Sequence, residues 1–135
     1  MKFLSPKLHG YIDYLTSAAF MMIPVLFMVQ GVPRAVMGFY AIGGALLLVS
    51  LITRYPLGAL KIVPFPVHGA FELIGAPLVV AYPWLAGFAD VPAARNTYIV
   101  AGVALFLVWL VTDYKAAEAP HHSESAATGP VASHR

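Results

Sequence analysis

Four long apolar runs divide the chain, at Tyr11–Gln30, Val36–Thr53, Ala70–Phe88 and Thr97–Val111, and most of the prolines and charges lie outside them. Within the runs the apolar residues are continuous and do not alternate, which excludes the segments of a membrane barrel. At 1.5 Å per residue, a run of about 15–20 residues, lengthened by its flanks, crosses a hydrocarbon layer of about 30 Å. Backbone groups inside lipid must be satisfied within their own segment, so each run predicts a transmembrane helix. The fold expected is all-α, a bundle of four transmembrane helices.

The pattern also repeats. Sliding the chain by 59 residues aligns 8–55 with 67–114 without a gap, and fifteen positions are identical. His9 and Gly10 fall on His68 and Gly69, Asp13 on Glu72, Pro24 on Pro83, Pro33 on Pro92, and Gly43 on Gly102. "LLLVSLITRY" falls on "LFLVWLVTDY". The expectation is a membrane domain over 1–115 made of two tandem hairpins, repeat 1 at about 8–55 and repeat 2 at about 67–114. Each unit holds an even number of spans, so the repeats are parallel, related by a pseudo-twofold axis along the membrane normal. Residues 116–135 lack periodicity and read as a disordered cytoplasmic tail, whose His121, His122 and His134 offer at most loose metal contacts.

Composition agrees with a membrane setting. Of 135 residues, 60% are hydrophobic and 10% charged, and the mean hydropathy is positive. The first run is too long for a cleavable signal core and carries Asp13, so it is expected to remain attached. The absence of cysteine excludes disulfides, thiolate ligands and thiol catalysis, and a net charge of +2 gives no case for nucleic acid. Lys2, Lys7, Arg54, Lys61 and Lys115 lie on one side of the spans against Arg34 and Arg95 on the other, which places both termini in the cytoplasm.

The sequence "AYPWLAGF" at Ala81 to Phe88, followed by "ARNTYIVAGVALFLVWLVTDY", resembles the SPW-repeat family of small bacterial integral membrane proteins. The resemblance covers roughly residues 8–114. Tyr82 stands at the Ser position while Pro83 and Trp84 are kept, and the first copy retains only Pro24. It implies two-helix units in a bacterial inner membrane and carries no reaction with it. Trp84 and Pro83 read as an interface anchor and a kink. Gly38, Gly43, Gly44, Gly75 and Gly102 read as small residues that let helices approach. The "YPLGALKIVPFP" connection reads as a segment lying along the cytoplasmic interface.

The polar residues left over are informative. His9 and Asp13, and likewise His68 and Glu72, stand one helical turn apart and point the same way. Gly10 and Gly69 leave room beside the histidines for another backbone. Arg54 and Asp113 occupy equivalent span ends, so all six residues fall in one layer on the cytoplasmic side. In one reading the layer is structural: Ser5 caps the first helix, Pro6 opens it, and the acids are fixed by His9, His68 and Arg54. In the other, His9, Asp13, His68 and Glu72 converge on the axis and hold Zn, Mn or Fe, or the two histidines ligate haem. A transport route needs ionisable groups through the full depth, and the outer half has none beyond its loops. Neither a catalytic triad nor a phosphate loop is present, and no enzyme is expected. The leading expectation is a structural or interaction role in the bilayer, with a membrane protein or a second copy as partner. A metal- or haem-binding protein is the alternative, and no particular cofactor follows from the sequence.

Overall fold

The computed structural model describes residues 2–26 and 31–116. The end of the first apolar run, at 27–30, and the tail from 117, including His121, His122 and His134, lie outside the described residues. Four helices carry the described chain: α1 (Pro6–Leu26), α2 (Pro33–Ile52), α3 (Phe65–Leu85) and α4 (Pro92–Val111). Of these, α2, α3 and α4 are long and apolar enough to cross a membrane. Among the described residues the fold is all-helical apart from a two-residue parallel pairing of β1 (Thr53–Arg54) with β2 (Val63–Pro64) and an isolated bridge between Leu4 and Thr112.

The helices begin three to five residues before the apolar runs do. A proline at the first or second position explains this: it presets φ, and its missing N–H is one the first turn leaves unbonded anyway. Pro6, Pro33 and Pro92 open α1, α2 and α4, and Pro66 is second in α3. At α1 the Ser5 hydroxyl accepts the Leu8 N–H at 3.3 Å, the capping expected there.

Within each half, helices pack at small residues. A Cβ at Gly43 would meet the Ser17 carbonyl and Phe20, and one at Gly102 would meet the Ala76 carbonyl and Val80. These contacts bring α1 against α2 and α3 against α4. Gly44 and Gly75, by contrast, face open space and serve no close approach within the chain. At one end of the bundle the halves meet through aromatic rings. Phe39 of α2 stacks on Tyr98 of α4 at 4.0 Å between centroids, and the Tyr98 hydroxyl donates to the Ala35 carbonyl at 2.7 Å. Phe20, Val79 and Phe88 complete this cluster.

At the other end the chain crosses between halves by backbone pairing. Thr53 pairs with Val63, and Leu4 pairs with Thr112 in the same parallel sense. Both pairs of partners are separated by 59 residues from their counterparts. Large apolar side chains such as Leu15, Met37, Ile74 and Val100 are turned outward, while polar His9, Asp13, Ser50, Thr53, His68, Glu72 and Thr112 are buried. That distribution inverts a water-soluble protein and suits helices solvated by lipid.

Candidate metal centre

The buried polar group at the paired end is built from the starts of α1 and α3 and the ends of α2 and α4. His9 and His68 are in register on the two first helices, one turn before Asp13 and Glu72. All four are buried, Glu72 the most accessible at 8%. The two imidazoles face each other edge to face, with Nε2 atoms 3.3 Å apart. His9 Nε2 lies 3.1 Å from Asp13 Oδ1 and 3.5 Å from Glu72 Oε1. His68 Nε2 lies 3.5 Å from Glu72 Oε1 and 3.5 Å from Asp13 Oδ2. One potential ligand atom from each residue falls within 4.8 Å of all the others.

The far side of each imidazole fixes where its proton sits. His9 Nδ1 is 3.0 Å from Thr112 Oγ1, and His68 Nδ1 is 2.9 Å from Thr53 Oγ1. Each threonine hydroxyl also bonds the carbonyl four residues back, Val108 at 2.7 Å and Val49 at 2.6 Å. A hydroxyl has one proton, and two oxygens that close require it between them. The threonine oxygen is therefore the acceptor of Nδ1–H in both pairs, and both Nε2 atoms turn lone pairs toward the centre. Each imidazole is held by the opposite half of the chain, since Thr112 follows α4 and Thr53 follows α2.

The carboxylates are held just as specifically. Asp13 Oδ2 accepts Ser50 Oγ–H at 3.0 Å and the Tyr55 hydroxyl at 3.4 Å. Glu72 Oε2 accepts the Tyr114 hydroxyl. Burial holds both phenols above their usual range, so they remain donors. These bonds engage one oxygen of each acid, while Asp13 Oδ1 faces His9, Glu72 Oε1 faces both imidazoles, and Asp13 Oδ2 also lies near His68. The centre is thus a set of four acceptors, two nitrogen and two oxygen, which is complete only with protons or a cation among them.

The structure departs from the sequence reading in three places. Arg54 does not neutralise the acids: it is exposed, and its Nε donates to the Lys61 carbonyl at 2.9 Å. Asp113 stays outside the group, accepting the Lys115 N–H at 3.1 Å. The space beside Gly10 and Gly69 is filled by tyrosine rings rather than by backbone. A Cβ at Gly10 would strike the Tyr55 ring, and one at Gly69 the Tyr114 ring. The glycines thus admit the phenols that reach Asp13 and Glu72. Thr53, Thr112, Tyr55, Tyr114 and Ser50 were not singled out from the sequence, although the repeated Thr-x-Tyr at 53–55 and 112–114 was visible in the aligned span ends. No known protein family, curated protein or solved structure matches this chain.

Proposed function

We propose that the protein is a membrane-embedded binder of one divalent transition-metal ion, held by His9 Nε2, His68 Nε2, Asp13 Oδ1 and Glu72 Oε1. The observation that carries this reading is the spacing of the four acceptors. A tetrahedral ion with bonds of about 2.0–2.2 Å has ligand–ligand edges of about 3.3–3.6 Å. Four contacts among these atoms run from 3.1 to 3.5 Å, and His68 Nε2 reaches Asp13 through its other oxygen, Oδ2, at 3.5 Å. Two imidazole nitrogens and two carboxylate oxygens suit Zn, Fe or Mn. The threonines and tyrosines behind them are the outer hydrogen bonds that orient metal ligands. Two carboxylates cancel a divalent charge, so the loaded centre carries no net charge into a poorly solvated interior.

The same spacing favours a bare ion over haem. A macrocycle between the histidines would need the plane that the two carboxylates occupy. We further infer that α1 spans the membrane with α2, α3 and α4, and that the halves are tandem parallel repeats, supported by helix bounds that recur at 59 residues. The Lys and Arg bias and the resemblance to SPW-repeat proteins support a bacterial inner-membrane location with cytoplasmic termini. The ion then bridges α1 to α3 at the cytoplasmic end, opposite the aromatic cluster.

Elemental analysis of protein purified without a His-tag or chelator tests the reading. About one metal per chain is expected, lost in both His9→Ala and His68→Ala, with stability that rises with metal concentration. Metal-free protein whose two variants are mild and additive would instead support a purely structural layer.

A further inference from the structure

Between α2 and α3 lies a cavity of about 360 Å³ that ends on His68 and Glu72 and extends to Tyr82. Tyr82 lies 14 residues beyond His68 on α3, about 21 Å at 1.5 Å per residue. A volume of this size spread over that length is a slot one alkyl chain wide. Its walls are apolar, Leu46, Val49, Val79 and Leu105 among them, and half-exposed Phe71 and Leu78 stand on its lipid-facing side. The corresponding positions in the first half differ in both directions: Ile12, Ala19 and Ile23 are smaller than Phe71, Leu78 and Tyr82, while three others are larger. Thr16, Ser17 and Phe20 stand where the slot has Gly75, Ala76 and Val79, and Phe20 is packed against Phe39 at 5.6 Å. Gly75, Ala76 and Val79 line the space, and the buried centre lies at its head.

We propose that the slot takes up one single-chain lipid from the bilayer, with an uncharged carbonyl or hydroxyl oxygen at its head directed to the His68–Glu72 face of the centre. The choice of head rests on the metal reading: an ion matched by two carboxylates is already neutral, and a charged head would have to be desolvated with nothing left to compensate it. A neutral oxygen can join the four protein ligands as a fifth, an expansion that such ions accept, and keep the site neutral. The tail needs only the apolar walls, and a slot of this volume falls in the range of small-molecule pockets.

The test is native mass spectrometry of the zinc-loaded full chain in a sterol-based detergent, which has no alkyl tail of its own. The probes are 1-dodecanol, dodecanoate and dodecane. Expected is one dodecanol per chain, bound at least tenfold more tightly than either of the others. Gly75→Thr/Val79→Phe, which installs the first half's residues, should weaken dodecanol at least tenfold while zinc is retained. Gly75→Leu, made where the glycine faces open space, gives a second blocked slot should the double variant fail to fold. Dodecanol binding unchanged in the blocked slots, a preference for dodecanoate, or the lack of a one-to-one adduct would overturn the proposal. A wild-type chain that binds no zinc yet takes dodecanol only when the slot is open would refute the metal reading alone.

Discussion

Replacing Thr53 by Val keeps the shape of the side chain and removes the one acceptor of the His68 Nδ1 proton, 2.9 Å away. Without metal the ring has an escape, because its proton can move to Nε2 and be accepted by Glu72 or Asp13, both 3.5 Å away. With metal it has none: the ion occupies the Nε2 lone pair, and Nδ1–H stays buried with no partner. The cost therefore falls on the loaded state. An orphaned buried donor costs about 1–3 kcal/mol, and at about 1.4 kcal/mol per decade this lowers affinity roughly 5- to 150-fold. Thr112→Val should act alike at His9, whose Nδ1 lies 3.0 Å from Thr112 Oγ1. Thr97→Val is the matched control, because its hydroxyl also bonds the carbonyl four residues back, Ala93 at 2.8 Å, but is exposed on α4. Competition with a chromophoric zinc indicator in detergent at neutral pH measures all three. If Thr53→Val and Thr112→Val bind zinc as tightly as Thr97→Val, the proton assignment is wrong, and the centre is not organised around two Nε2 lone pairs.

Other outcomes follow from the same contacts. Imidazole and carboxylate must be deprotonated to bind an ion, so the stability conferred by metal should be full at neutral pH and disappear as pH falls. Thermal unfolding with and without chelator across pH would read this, and a chelator effect that persists undiminished into acid would contradict it. Gly10→Ala and Gly69→Ala push a Cβ into the Tyr55 and Tyr114 rings and should destabilise by about 1–3 kcal/mol. Gly44→Ala, where the space is open, should be neutral or stabilising by up to about 1 kcal/mol; equal thermal shifts for the three would count against the packing described. Reporter fusions at Lys115 should behave as cytoplasmic and those at Pro33 and Asp90 as external, and a cytoplasmic signal at Pro33 would break the four-span topology.

The apolar runs revealed the helices because lipid leaves so few alternatives for a backbone. Their starts were less visible: hydropathy registers Tyr11 and Ala70 but not the proline-led turns at Pro6 and Phe65 that precede them. The meeting of His9, Asp13, His68 and Glu72 was anticipated as one of two readings from a four-residue spacing and a 59-residue shift. What the spacing could not supply was the ring of partners behind them. Arg54 drew attention by its charge, yet the chain turns after Thr53 so that the arginine faces out and Tyr55 faces in. That reversal depends on the pairing with Val63, a contact between residues that have no pattern in common. The slot was hidden for a different reason, since empty space is a property of several helices at once. It leaves no uniform trace in the sequence, since Gly75, Ala76 and Val79 are smaller than their first-half counterparts while Phe71, Leu78 and Tyr82 are larger.

The threonine bonds that cross between halves have a consequence for ownership of the site. A polypeptide of half this length, with one His–acid helix and one Thr-x-Tyr ending, would hold two ligands and could seat its imidazole only against a second copy of itself. Every change in such a dimer would appear twice, and a residue removed to open one wall would open both. Joining the halves through a short connection fixes their local concentration and also frees each to change alone. Asp13 can stand opposite Glu72, Ser50 opposite Trp109, and Phe20 opposite Val79. A single covalent chain can thus keep one flank of a nearly symmetric centre sealed while the other is hollowed toward the lipid.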